Sequence, residues 1–269
     1  MNLLKLMQSL DLSKIDQEEF LKPALRRQLF KKAGDFSLKA ALTSAPIATM
    51  AFPKIVKAQS SIVVETLNFA LTLEYLEDEF YKMGLAASNL IPVEDRTIFM
   101  QIGKHETAHV NFLKTALGES AVAMPTFDFT AGGAFADAFS NYATFLALSQ
   151  SFEDTGVRAY KGQAGNLLND NDTLTAALQI HSVEARHASE VRRLRGKASN
   201  MAIKGWITND ESNGAPAAIY EGEDNTTHAG ADISTLSTLS DISMAGKTES
   251  FDEPLTKEQV LAIVDPFIA

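Results

Sequence analysis

Four polar residues in one part of this chain recur further along it at a nearly constant interval. Glu74 and Tyr81 return as Glu153 and Tyr160, each 79 positions on, and Glu106 and His109 return as Glu184 and His187, each 78 positions on. A repeat carried by polar residues, and not only by the apolar pattern, restricts the fold severely. Two similar units must bring these side chains to related places. Residues three apart lie on adjacent turns of one helix face, so each Glu-x-x-His pair aims both groups at one point. In "LEYLEDEFY" and "FEDTGVRAY" the Glu precedes its Tyr by seven residues, nearly two full turns, so these also share a face.

From Ser60 to Gly196 the pattern is helical. The spacing predicts helices over about 61–86, about 93–117, Ala134 to Lys161, and from the "NDND" of 169–172 to Gly196. The apolar positions Leu67, Ala70, Leu71 and Leu85 mark the inner face of the first. On the second, Glu106 and His109 continue the stripe Ile98, Ile102, Phe112, Leu113, Ala116. On the fourth, Glu184 and His187 continue Ala177, Ile180, Val191, Leu194. Both pairs therefore face a core, where a bare carboxylate is costly unless a cation meets it. The first and second helices are joined by a short link, as are the third and fourth. Between the second and third lies the longer "GESAVAMPTFDFTAGGA". Short links make antiparallel neighbours, and a long one lets the chain cross the bundle.

The chain has no cysteine, so any metal must be held by carboxylates and imidazoles. One Glu from each of two helices and a Glu-x-x-His from each of the other two form the ligand set of di-iron and di-manganese carboxylate bundles. Four carboxylates nearly neutralise two divalent cations, and an imidazole per metal leaves positions open for water, O2 or peroxide. A competing reading starts from "HETAHV" at 105–110, which fits the zinc-peptidase pattern His-Glu-x-x-His. That reading lacks a clear third protein ligand and leaves Glu74 and the whole second repeat unused. His105 has no counterpart in the repeat, where Val183 precedes Glu184; with His181 it is expected to orient a neighbouring carboxylate or face the bundle margin.

With these residues in view, 60–196 resembles a ferritin-like domain. It is similar to the bacterial ferritin-like proteins associated with stress and desiccation, which "LNFALTLEYLEDEFY", "YEGEDNT" and "FDEPLT" also resemble. The resemblance implies an all-α, ferritin-like four-helix bundle with a long crossover between helices 2 and 3; the residues before and after it read as an N-terminal helical arm (1–59) and, from its Gly, Ser, Thr, Asn and Asp, an extended, irregular C-terminal segment (197–269). It implies two Fe or two Mn ions held by Glu74, Glu106, His109, Glu153, Glu184 and His187, with Tyr81 and Tyr160 beside them. Glu77, one turn after Glu74, competes with it as the first-helix ligand; the seven-residue relation to Tyr81 favours Glu74.

The expected activity is an oxidoreductase-type reaction with O2 or peroxide. The alternative is a non-catalytic stress-associated protein whose metal site is vestigial or purely stabilising. A net charge of -10 argues against a nucleic-acid partner, and no uninterrupted apolar run reaches the length of a membrane span. A homo-oligomer is compatible with the bundle, although the arm and tail disfavour a closed storage cage. Residues 26–60 begin with Arg26 and Arg27 and continue with small and apolar residues, as a twin-arginine export signal does. Lys39 and Pro46 interrupt that run, so exported and cytoplasmic locations both stay open. Finally, Thr256 and Gln259 are placed for a capping box on a short helix over about 257–264.

Overall fold

A computed structural model describes residues 60–269, which lie within one compact unit, Val56–Ala269. The expected N-terminal arm and the twin-arginine-like segment lie outside the described residues. Four long helices carry the body: α1 (Ser61–Ala86), α2 (Val93–Leu117), α3 (Tyr142–Gln163) and α4 (Asn171–Ser199). The two hairpins α1–α2 and α3–α4 pack face to face, as short, long and short connections require. Among the described residues no helix is long and apolar enough to cross a membrane.

The helix ends follow from local chemistry. α2 begins after Pro92 with Glu94 and Asp95 in its first turn and stops at Gly118, whose φ of 55° is left-handed. α4 is capped by Asp170, whose side chain accepts from the Thr173 amide at 3.2 Å. Two ends differ from expectation. α3 starts at Tyr142, not Ala134, because the Asp128 carboxylate gathers the amides of Thr130 and Gly132 into turns, and Asn141 then caps the helix. α4 runs past Gly196 to Ser199 and ends at left-handed Asn200. Gly196 serves packing instead: a Cβ there would lie 3.2 Å from the carbonyl oxygens of Met201 and Ile203 as the chain turns back.

The crossover, 118–141, lays Phe129 and Ala138 onto an aromatic core with Phe80, Phe145 and Phe152. Beyond α4 the chain is mostly irregular, with a two-residue ladder of β1 (Thr227–His228) and β2 (Ala231–Asp232) and two short helices, α5 (Met244–Thr248) and α6 (Lys257–Val264). The capping box of Thr256 and Gln259 is present on α6. This irregular segment is firmly docked. Buried Arg158 of α3 donates through Nη2 to the Glu221 carbonyl at 2.7 Å, through Nη1 to the Ile219 carbonyl, and through Nε to the Glu253 carbonyl at 2.8 Å, with Glu223 Oε1 also 2.8 Å away. Arg192 of α4 forms a two-pronged pair with Asp154 at 3.0 and 2.6 Å, and the Tyr220 hydroxyl donates to the same carboxylate at 2.8 Å. Such groups stay buried only because each is paired.

Candidate metal centre

All six expected ligand residues meet midway along the bundle. They form two overlapping groups: Glu74, Glu106, His109 and Glu184, and Glu106, Glu153, Glu184 and His187. In each group one ligand atom from every residue lies within 4.8 Å of the others. The four carboxylates are fully buried, and the two histidines keep small exposed fractions, His109 the larger.

Each oxygen has a distinct direction. Glu106 turns Oε2 to His109 Nδ1 at 3.0 Å and Oε1 to His187 Nδ1 at 2.9 Å. Glu184 does likewise, with Oε1 at 3.0 Å from His109 Nδ1 and Oε2 at 3.4 Å from His187 Nδ1. These two carboxylates thus span both halves of the centre. Glu74 presents one oxygen to the centre, Oε2 at 3.1 Å from His109 Nδ1, and its other oxygen accepts from the Tyr160 hydroxyl at 2.5 Å. Glu153 mirrors it: Oε2 is 3.3 Å from His187 Nδ1, and Oε1 accepts from Tyr81 at 2.5 Å.

The tyrosines therefore cross. Each lies on the face of its own Glu, as spaced, but bonds the Glu of the opposite repeat. The reason is geometric: seven residues along one helix separate two side chains by about 10 Å, whereas α1 and α3 run antiparallel and bring residue 74 to 160 and 81 to 153. Burial, then the adjacent carboxylate, push both phenols well above their ordinary range, so they remain donors.

A cation fits this arrangement better than hydrogen bonds do. His109 Nδ1 sits 3.0–3.1 Å from oxygens of three glutamates on three helices, and a single N–H can point at only one. Glu106 Oε1, Glu153 Oε2, both Glu184 oxygens and His187 Nδ1 are buried without an aligned hydrogen bond, although their partners are within contact distance. The donor atoms converge on points between them. Without a cation the cluster must hold protons. Burial works against charge on His109 and His187, but bonds to the carboxylates outweigh it and raise both, His109 to about 12. Burial, reinforced by Glu184, raises Glu106 to about 7; burial raises Glu153 to about 8. Burial would raise Glu184 too, yet bonds to both histidines outweigh it and hold it at about 2.

Of the two alternatives expected for His105 and His181, neither residue orients a carboxylate; both are half-buried at the margin of the bundle. His105 does not orient a carboxylate: its Nδ1 lies 2.8 Å from the outer nitrogen, Nε2, of His187, and its own Nε2 meets the Gln101 amide at 2.7 Å. The available signal was its position four residues before His109, next to the inward stripe. His181 is half-buried beside Val157 and Lys161, outside both groups. Glu77 is buried but belongs to neither group.

A helical bundle with two carboxylate–histidine groups that could hold metal ions defines a class of metal-binding helical proteins. The ferritin-like domain family model matches residues 62–197, and the chain belongs to that family. No curated protein matches the chain.

Proposed function

We propose that this protein holds two iron or manganese ions between Glu74, Glu106, His109, Glu153, Glu184 and His187, and uses them in an oxidoreductase reaction with O2 or peroxide. The observation that supports this most strongly is that Glu106 and Glu184 each turn one oxygen to each histidine, as carboxylates shared by two ions would. Oxygen donors with one imidazole per position suit iron and manganese, and the absence of cysteine removes the thiolate sites that select zinc and copper. When bound, such ions supply reversible one-electron oxidation and open positions for a small oxidant.

The protein's own residues prepare that chemistry. Tyr81 and Tyr160 each occupy one oxygen of a glutamate and so direct the other at the centre. His105 holds the outer nitrogen of His187, which turns Nδ1 inward. Burial excludes bulk water and restricts direct access to reactants the size of O2 or H2O2. The similarity of "LNFALTLEYLEDEFY" to stress-associated ferritin-like proteins supports a protective role.

The same closure supports a second reading, in which the ions only stabilise the bundle. One experiment separates the two. The full chain is reconstituted with Fe(II) or Mn(II) under argon, its metal content is measured, and optical spectra are recorded before and after O2 or H2O2. The proposal expects two ions per chain and a spectral change with either oxidant. Spectra indifferent to both oxidants, with a raised Tm, would establish the stabilising role; no bound metal would sink both.

A further inference from the structure

The repeat that builds the centre is broken at one inward position. Advancing by the interval of 79 that relates Glu74 to Glu153 and Tyr81 to Tyr160, Glu77 corresponds to Gly156. The mismatch is complementary in space. A Cβ on Gly156 would lie 3.1 Å from Glu77 Oε1 and 3.9 Å from Glu184 Cγ. The carboxyl of Glu77 therefore reaches from α1 across the bundle into the space that α3 leaves empty, one turn from Glu153. Tyr81, on the next turn of α1, makes the same crossing to Glu153.

Both halves of this arrangement are unfavourable alone. A glycine inside a helix is less favourable than alanine. A fifth buried carboxyl, 3% exposed, adds desolvation to a centre already rich in acids. A cation on that side offsets the second cost and makes use of the first. The Glu77 carboxyl is thus directed at α3 beside Gly156, whereas Glu74 turns to His109 and Tyr160.

Resting on the dinuclear reading above, we propose that Glu77 is an additional carboxylate ligand for the metal position built on Glu153 and His187. The two positions are then unequal. On this assignment the Glu153–His187 position draws on Glu106, Glu153 and Glu184 with Glu77 added from beside Gly156, while the Glu74–His109 position draws on Glu74, Glu106 and Glu184. A hard di- or trivalent cation fills the position with more carboxylates first, and affinity for such ions rises with ligand charge count, here by about tenfold.

The test is partial loading. Crystals of the full chain grown with less than one Mn(II) per chain, under argon, are measured by anomalous diffraction. The expected peak lies at Glu153 and His187. In Glu77→Gln, which preserves shape, the two positions should fill about equally. Exchanging the pair (Glu77→Gly with Gly156→Glu) should move the stronger peak to Glu74 and His109. In solution, calorimetric titration of Glu77→Gln should show one of two affinities about tenfold weaker and the other unchanged. Equal filling in the unmodified protein, a stronger peak at Glu74–His109, or a ratio unaffected by Glu77→Gln overturns the inference while leaving two ions per chain intact. Failure of the unmodified protein to take up any Mn(II) refutes the dinuclear reading itself. Should the exchanged pair not fold, the unmodified protein and Glu77→Gln decide the matter.

Discussion

Loading the centre with divalent cations must expel protons, and the structure says roughly how many. Metal ligands act in their deprotonated forms. At pH 7 the metal-free cluster carries a proton on His109, raised to about 12, and another on His187, raised further still. Glu153, at about 8, is about nine-tenths protonated, and Glu106, at about 7, is about half. Glu184, at about 2, is ionised. The sum is about three protons per chain, with further contributions from Glu74 and Glu77, whose pKa values burial also raises. Charge balance gives an independent check, since two divalent cations replace about four positive charges among four carboxylates. At pH 9 the protons of Glu106 and Glu153 are mostly gone, and release should fall by about one proton. The assay is calorimetric titration of the full chain with Mn(II) in buffers of different ionisation enthalpy, whose slope counts protons directly. Release below one proton at pH 7, or release that does not decline from pH 7 to 9, would refute this account. The same shifts set the stability of the metal-free protein. The raised carboxylates stabilise the fold fully below pH 4.5, and that contribution is lost as pH rises through 7 and 8. The raised histidines contribute fully below 6.5 and lose it only towards 12. Glu184, depressed, contributes above 4.5 and loses it as pH falls through about 2. Thermal stability without metal should therefore fall from pH 5 to 9, and bound metal should remove most of that slope.

Other outcomes follow from particular contacts. Glu106→Ala and Glu184→Ala each delete a carboxylate that faces both histidines, so elemental analysis should find fewer than two ions per chain; full loading in either would disprove the ligand assignment. His105→Ala should retain two ions but bind one about tenfold more weakly, since His187 loses the partner of its outer nitrogen; competition with a chelator measures this, and an unchanged affinity counts against it. Asp154→Ala leaves buried Arg192 without its counter-charge and should cost about 3–5 kcal/mol, a Tm lower by roughly 6–20 °C for a body of this size. Replacing both partners (Asp154→Leu with Arg192→Met) should recover most of the loss by scanning calorimetry, because the penalty comes from the stranded charge.

The centre was legible in the amino-acid sequence because its chemistry demands particular residue types at particular spacings. Glu-x-x-His and Glu-x6-Tyr, each present twice at a fixed offset, define which faces of four helices meet. What was not legible depends on how the helices run past each other. The tyrosine crossing needs the antiparallel sense of α1 and α3, which periodicity along one helix does not contain. The role of Gly196 depends on where 201–203 return, and the start of α3 on an Asp128 turn that competes with helix over residues of helical composition. The docking of the tail was hidden for a similar reason: Arg158 lies 63 and 95 residues from Glu221 and Glu253, whose carbonyls it meets.

The pentapeptide His105–His109 shows how such tertiary facts decide between readings of one string. Four residues apart on one face, its two histidines could share a zinc ion. In the bundle they serve different neighbours. His109 Nδ1 faces Glu74, Glu106 and Glu184, and His105 Nδ1 meets the far nitrogen of His187. A site holding both histidines would have to displace His187 from the contact that orients it. Glu106, the general base of the zinc reading, already spends both oxygens on the two halves of the centre. The protease pattern therefore fails on geometry, and what survives of it is a glutamate shared between two positions and a histidine that supports one of them from behind.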